Sequence, residues 1–164
     1  MNVWEKRVIK MGNFSNDMIS SIFADTLKEV IATTTGFSFE ISSQESGTSF
    51  EDMTGLISLN GNNPGMIFIS ADERAMRRIC SFMTGLHDND ITMKDIEDAL
   101  CELVNMTAGS AKLRFNTADD AYFLSPPFIL RGNNMSIISK KRVNVISMVL
   151  GNEEISIKLK VVFY

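Results

Sequence analysis

Residues 98–112, DALCELVNMTAGSAK, carry two patterns that one helix has to reconcile. At about 100° per residue, Ile96, Leu100, Leu103, Thr107 and Ala111 fall on a single stripe, which other structure must cover. Asp98, Glu102, Asn105, Gly109 and Lys112 fall within roughly 80° on the opposite side. An exposed helix face is ordinarily filled with Glu, Lys, Gln or Ala. Asn competes with the helix through its own side chain, and Gly costs about 1 kcal/mol against Ala. A helix that keeps both on its outer stripe is expected to use that stripe, with Gly109 leaving room for another backbone to approach.

The helical period recurs in Met18, Ile19, Ile22, Phe23, Leu27, Val30 and Ile31, which predicts a first helix over residues 15–34 ended by Gly36. Ser70 and Glu73 have the spacing of a capping box, so a second helix is expected from Ser70 as N-cap to about Thr84. It would bury Met76, Ile79, Cys80 and Met83, show Arg74, Arg77 and Arg78 mainly to water, and stop at Gly85. The third helix should start near Thr92, with Asp95 as the acidic partner of its cap, and run to about Phe115.

Alternating segments place strands near residues 37–42, 53–59, 66–70, 122–124, 128–130, 143–150 and 155–163. The loop 60–65 and the run Gly151-Asn152-Glu153-Glu154 each turn a pair of strands into an antiparallel hairpin. A mainly antiparallel sheet packed against long helices is an α+β architecture. At 164 residues, with no linker or low-complexity tract, the chain reads as one domain over residues 1–164.

Several function classes are set aside. A net charge of −4 gives no basic field for nucleic acid. The first residues, MNVWEKRVIKMGNF, have no continuous apolar core, so no secretory signal is expected, and no apolar run approaches the ~20 residues that span a bilayer. Cys80 and Cys101 have no CxxC or Cys/His spacing, which argues against a metal site or disulfide and for the cytoplasm. His87, the only histidine, sits in a turn, leaving Ser/His or Cys/His chemistry without its usual base. The eleven Met and eleven Phe read as core packing, and Lys140, Lys141 and Arg142 as a solvated turn; Trp4 and Cys101 receive no role.

The pattern D-x-x-x-E-x-x-N-x-x-x-G-x-x-K, filled by Asp98, Glu102, Asn105, Gly109 and Lys112, resembles the signature of the CheC/CheX/FliY phosphatases. The downstream SPPFILRG at residues 125–132 and the order of elements are similar to the CheX branch. The resemblance implies a phosphatase acting on the aspartyl phosphate of a CheY-type response regulator, and a homodimer. Asn105 would orient the attacking water and Glu102 would pair with the regulator's lysine, while Asp98, Gly109 and Lys112 would serve partner binding. No cofactor is expected on this chain, and Mg²⁺ is expected in the partner. Phosphoryl transfer asks mainly for positioning and charge stabilisation. An amide has no useful pKa and can only orient and hydrogen-bond. The rival reading is a non-catalytic regulator-binding or dimerisation module on the same fold.

In the first helix Asp25, Leu27, Glu29, Thr34 and Gly36 repeat the offsets of Asp98, Leu100, Glu102, Thr107 and Gly109, which reads as a worn internal repeat, the alternative being a chance match in an amphipathic helix. Ala32 stands where Asn105 would be, so one active site per chain is expected.

Overall fold

The computed structural model describes residues 15–44, 49–61, 63–115, 122–140 and 143–164. The elements are helix α1 (Asn16–Thr35), strands β1 (Glu40–Gln44), β2 (Met53–Asn60) and β3 (Gly65–Ala71), helices α2 (Glu73–Thr84) and α3 (Met93–Phe115), then β4 (Phe123–Leu124), β5 (Phe128–Arg131), β6 (Asn144–Gly151) and β7 (Ser156–Phe163). This is the expected α+β arrangement, with an antiparallel sheet of seven strands among the described residues.

Helix ends follow local chemistry. The Ser15 hydroxyl accepts from the Met18 N–H at 3.3 Å and starts α1. Gly36 and Gly85, at φ 77° and 74°, close α1 and α2 in the left-handed conformation that glycine adopts without a Cβ penalty. At the start of α3, Thr92 N–H donates to the Asp95 carboxylate at 2.8 Å and Asp95 N–H to the Thr92 hydroxyl at 3.3 Å, a reciprocal cap.

The capping box expected at Ser70 does not form. Asp72 is the N-cap of α2, accepting from Ala75 N–H at 2.6 Å. Ser70 lies inside β3, buried, where its hydroxyl accepts from Glu51 N–H at 2.7 Å and meets the Thr54 hydroxyl at 2.9 Å. Pairing of Met53 with Ala71 carries the strand past the point where a local signal would end it. The first strand likewise begins later than expected, at Glu40, because its partner β6 ends opposite it at Gly151; Phe37, before the strand, packs its ring 4.5 Å from that of Phe82.

The sheet runs β1-β6-β7-β3-β2, with β4 and β5 both pairing the outer edge of β2. Exchanging β1 with β5, β2 with β6 and β3 with β7 reproduces this order. The centre falls at the Phe68–Lys160 pair of β3 and β7. The helices obey the same exchange, α1 lying against β6 and α3 against β2. Buried positions agree as well: Phe23, Thr26, Leu27, Val30, Ile31 and Thr35 of α1 correspond to Ile96, Ala99, Leu100, Leu103, Val104 and Ala108 of α3, all buried. The repeated pattern noticed in the sequence is therefore a pseudo-two-fold of the fold.

The main core lies between the helices and one sheet face, where Ile57, Ile67, Ile69, Leu159 and Val161 are fully buried. A smaller cluster of Phe50, Phe68 and Val162 covers the other face. Within it, Lys160 is 2% exposed, its Nζ donating to the Ser49 carbonyl at 2.6 Å and lying 4.8 Å from the Phe50 ring centroid. A Cβ on Gly55 would stand 3.1 Å from Leu100 Cγ and 3.3 Å from Val104 Cγ1, so α3 sits directly on the backbone of β2. That contact fixes which face of α3 is left outside.

Candidate functional site

The wheel predicted for the third helix is realised in α3. Ile96, Leu100, Leu103, Thr107 and Ala111 are each 0% exposed and form the inner stripe. On the outer side Asp98, Glu102 and Asn105 are exposed, and Gly109 and Lys112 are half-buried. All five expected site residues thus share one face. Glu102 and Asn105 are neighbours, separated along the axis by about 4.5 Å at 1.5 Å per residue.

Their engagements differ. Asp98 pairs with Lys94 one turn earlier, Oδ2 to Nζ 2.5 Å, which holds the Lys94 ammonium pKa above its ordinary value. Lys112 leans over Phe123, its Nζ 6.0 Å from the ring centroid. Glu102 and Asn105 have no hydrogen-bond or ion-pair partner among the described residues. A Cβ built on Gly109 meets nothing within 4 Å, so no internal contact among the described residues offsets the helix cost of this glycine.

The pseudo-equivalent face of α1 is otherwise. Asp25 accepts from the Ser21 hydroxyl at 3.1 Å, and Glu29, the counterpart of Glu102, is held by Arg114 from the last turn of α3. Ala32, the counterpart of Asn105, is exposed and offers no polar group. No local pattern in the sequence marks Arg114, because its partner lies 85 positions away in the chain.

Thiol chemistry is not poised here. Cys101 is half-buried at the flank of the outer stripe, and burial, with Asp98 and Glu97 adding to it, pushes its pKa up. Cys80 is buried, and desolvation raises its pKa too. Both therefore stay protonated at neutral pH. His87 is exposed. No group of three His, Cys, Asp or Glu able to hold a metal ion occurs among the described residues. No helix of the described residues is long and apolar enough to cross a membrane.

Arg77 and Arg78 are more engaged than expected of residues shown mainly to water. Arg77 donates to the Ile91 carbonyl at 2.7 Å and pairs with Glu73 at 2.9 Å, while Arg78 lies 4.6 Å from the Phe82 ring centroid. With Asp72, Asp88 and Glu154 they line a cleft of about 570 Å³ that includes neither Glu102 nor Asn105. None of the five outer-stripe residues of α3 lines that cleft. Trp4, Lys141 and Arg142 lie outside the described residues.

The family model for the chemotaxis phosphatase CheX matches residues 53–150, which contain all of α3. No curated protein matches the chain significantly. Among solved structures, a CheC-like superfamily protein from Shewanella sp. PV-4 is 22% identical, with 92% of this chain and 99% of that one covered at a TM-score of 0.78. The chemotaxis protein CheX from Vibrio vulnificus is 21% identical, covering 89% and 99% at a TM-score of 0.77. A chain of the CheX–CheY–BeF3–Mg²⁺ complex from Borrelia burgdorferi is 18% identical, covering 87% and 96% at a TM-score of 0.71. At these identities the structural likeness speaks for the fold.

Proposed function

The chain belongs to the CheX family of chemotaxis phosphatases, and from that premise we propose that it hydrolyses the aspartyl phosphate of a CheY-type response regulator in the cytoplasm. The observation that carries the reading is the pair Glu102 and Asn105, without a partner among the described residues and exposed side by side on a helix whose other face is locked to the sheet. Water attacks phosphorus, the bond from phosphorus to the aspartyl oxygen breaks, and the regulator's carboxylate and inorganic phosphate are the products. The Asn105 carboxamide oxygen accepts a hydrogen bond from that water and holds it in line. The Glu102 carboxylate pairs with the regulator's lysine and sets the register of docking. Asp98, Gly109 and Lys112 border the contact, with Gly109 as the point of closest backbone approach.

Mg²⁺, in this reading, belongs to the regulator, where it neutralises charge on the phosphoryl oxygens. The complex of a Borrelia burgdorferi CheX with CheY, BeF3 and Mg²⁺ supports a partner of this kind. The proposal includes a homodimer. Strand β5 pairs only β2 among the described residues and exposes Phe128 and Leu130, an apolar edge available to a second copy; sedimentation equilibrium tests it.

The functional test follows loss of acyl phosphate from a phosphorylated CheY-type receiver, with wild type, Asn105→Ala and Glu102→Ala compared. Acceleration by wild type that is lost in Asn105→Ala is expected. Binding without acceleration would make the chain a non-catalytic regulator-binding module.

A further inference from the structure

Beyond Glu102 and Asn105, the outer face of α3 ends in apolar side chains that neither the core nor the signature accounts for. Leu113 is 75% exposed and Phe123, at the start of β4, is 69% exposed. Among the described large apolar side chains only Ile138, at 87%, is more exposed. Single exposed leucines are common and need no account. Two such residues bordering one functional ridge do, and the geometry ties both to it. Leu113 follows Gly109 by one turn and lies three turns beyond Glu102, about 20° round the wheel from it. Phe123 is joined to the ridge from the other flank through Lys112, whose Nζ stands 6.0 Å from its ring centroid.

Scale identifies the occupant. A standard protein interface buries about 800 Å² on each partner, a disc of roughly 16 Å radius. Leu113 lies about 12 Å along the helix axis from Asn105, at 1.5 Å per residue. A receiver seated on Asn105 and Glu102 therefore covers Leu113, and Gly109, one turn from Asn105 and one turn from Leu113 along the helix, puts no side chain between them. A second copy of this chain cannot occupy the same ground while the receiver is docked.

We propose that Leu113 and Phe123 form an apolar clamp for the receiver, packing against aliphatic or aromatic side chains beside its phosphorylated aspartate, and that they set affinity while Asn105 sets the chemical step. Lys112 positions Phe123 by resting over its ring. This rests on the reading of Glu102 and Asn105 as the docking and water-orienting pair.

The test uses the full chain with CheY-type receivers, beryllofluoride-loaded for affinity and phosphorylated for turnover. Leu113→Ser and Phe123→Ser are each expected to raise Kd and KM roughly ten-fold, with kcat within two-fold of wild type. Ile138→Ser removes a still more exposed side chain from the segment whose neighbours Ser136 and Ile137 cover the opposite sheet face, and it should leave Kd and KM unchanged. Asn105→Ala should lose kcat and keep Kd. The clamp is overturned if both serine variants hold Kd and KM within two-fold while Asn105→Ala still loses kcat. It is also overturned if they lower kcat alone, or change only the oligomeric state. If wild type neither binds nor dephosphorylates any receiver, the functional reading fails and takes the clamp with it.

Discussion

Arg114 Nη2 lies 2.5 Å from Glu29 Oε2, tying the last turn of α3 to the middle of α1. Glu29 is the pseudo-two-fold counterpart of Glu102, so one of two related carboxylates is neutralised within the chain while the other has no partner among the described residues. With Ala32 in the place of Asn105, the pair leaves α1 without the exposed Glu and Asn that α3 carries. The pseudo-symmetry of the sheet is kept and that of the two outer helix faces is not.

That asymmetry gives a first expectation. The two side chains of the pair are 34% and 65% exposed, and exposed pairs are worth less than about 1 kcal/mol. Arg114→Ala should shift the thermal midpoint by a few degrees at most and leave dephosphorylation unchanged. Isothermal titration with a beryllofluoride-loaded receiver should still find one receiver per chain. Two per chain would mean that Ala32 does not disable the α1 face.

Gly109 separates stability from function. Because a Cβ there meets nothing within 4 Å, Gly109→Ala should stabilise the protein by about 1 kcal/mol through helix propensity alone. The same methyl group would stand where the receiver approaches, and KM should rise several-fold. A variant that is more stable with KM unchanged would remove Gly109 from the contact.

Glu102→Gln keeps the shape of the side chain and removes its charge. KM should rise about ten-fold at low salt, and the difference from wild type should shrink as ionic strength increases. A salt-independent loss would argue against pairing with a cation.

The cap of α3 has a defined acid response. Hydrogen bonds from Thr92 hold the Asp95 carboxyl below its ordinary pKa. A carboxylate with a depressed folded pKa contributes stability above its unfolded pKa and loses it as pH falls through the folded value. The stability gap between wild type and Asp95→Ala should therefore be full at pH 7 and close in strong acid, as read from denaturant midpoints. Over the neutral range kcat should stay flat, since Asn105 does not titrate.

What could be read from the sequence was local or periodic. The wheel of α3 was legible because burial on a helix repeats every 3.6 residues, and the ends of α1 because Ser15 and Gly36 act within one turn. The Lys94–Asp98 pair was legible in principle from its i,i+4 spacing. What escaped depends on distant partners. Ser70 has the look of an N-cap until β2 is present to claim its hydroxyl. Lys160 reads as a surface residue until Ser49 and Phe50 close over it. The neutralisation of Glu29 needs α1 and α3 side by side. Leu113 had a signal of its own, an apolar residue at helical spacing from Glu102 on the polar stripe.

The most direct measurement is a single-turnover decay of acyl phosphate on a CheY-type receiver at saturating concentrations of this protein, where binding differences no longer matter. Wild type should give rapid decay, and Asn105→Ala a loss of about 100-fold or more, the scale of removing one oriented hydrogen-bonding group, with the fold intact by circular dichroism. Decay with Asn105→Ala at the wild-type rate would remove Asn105 from the chemical step.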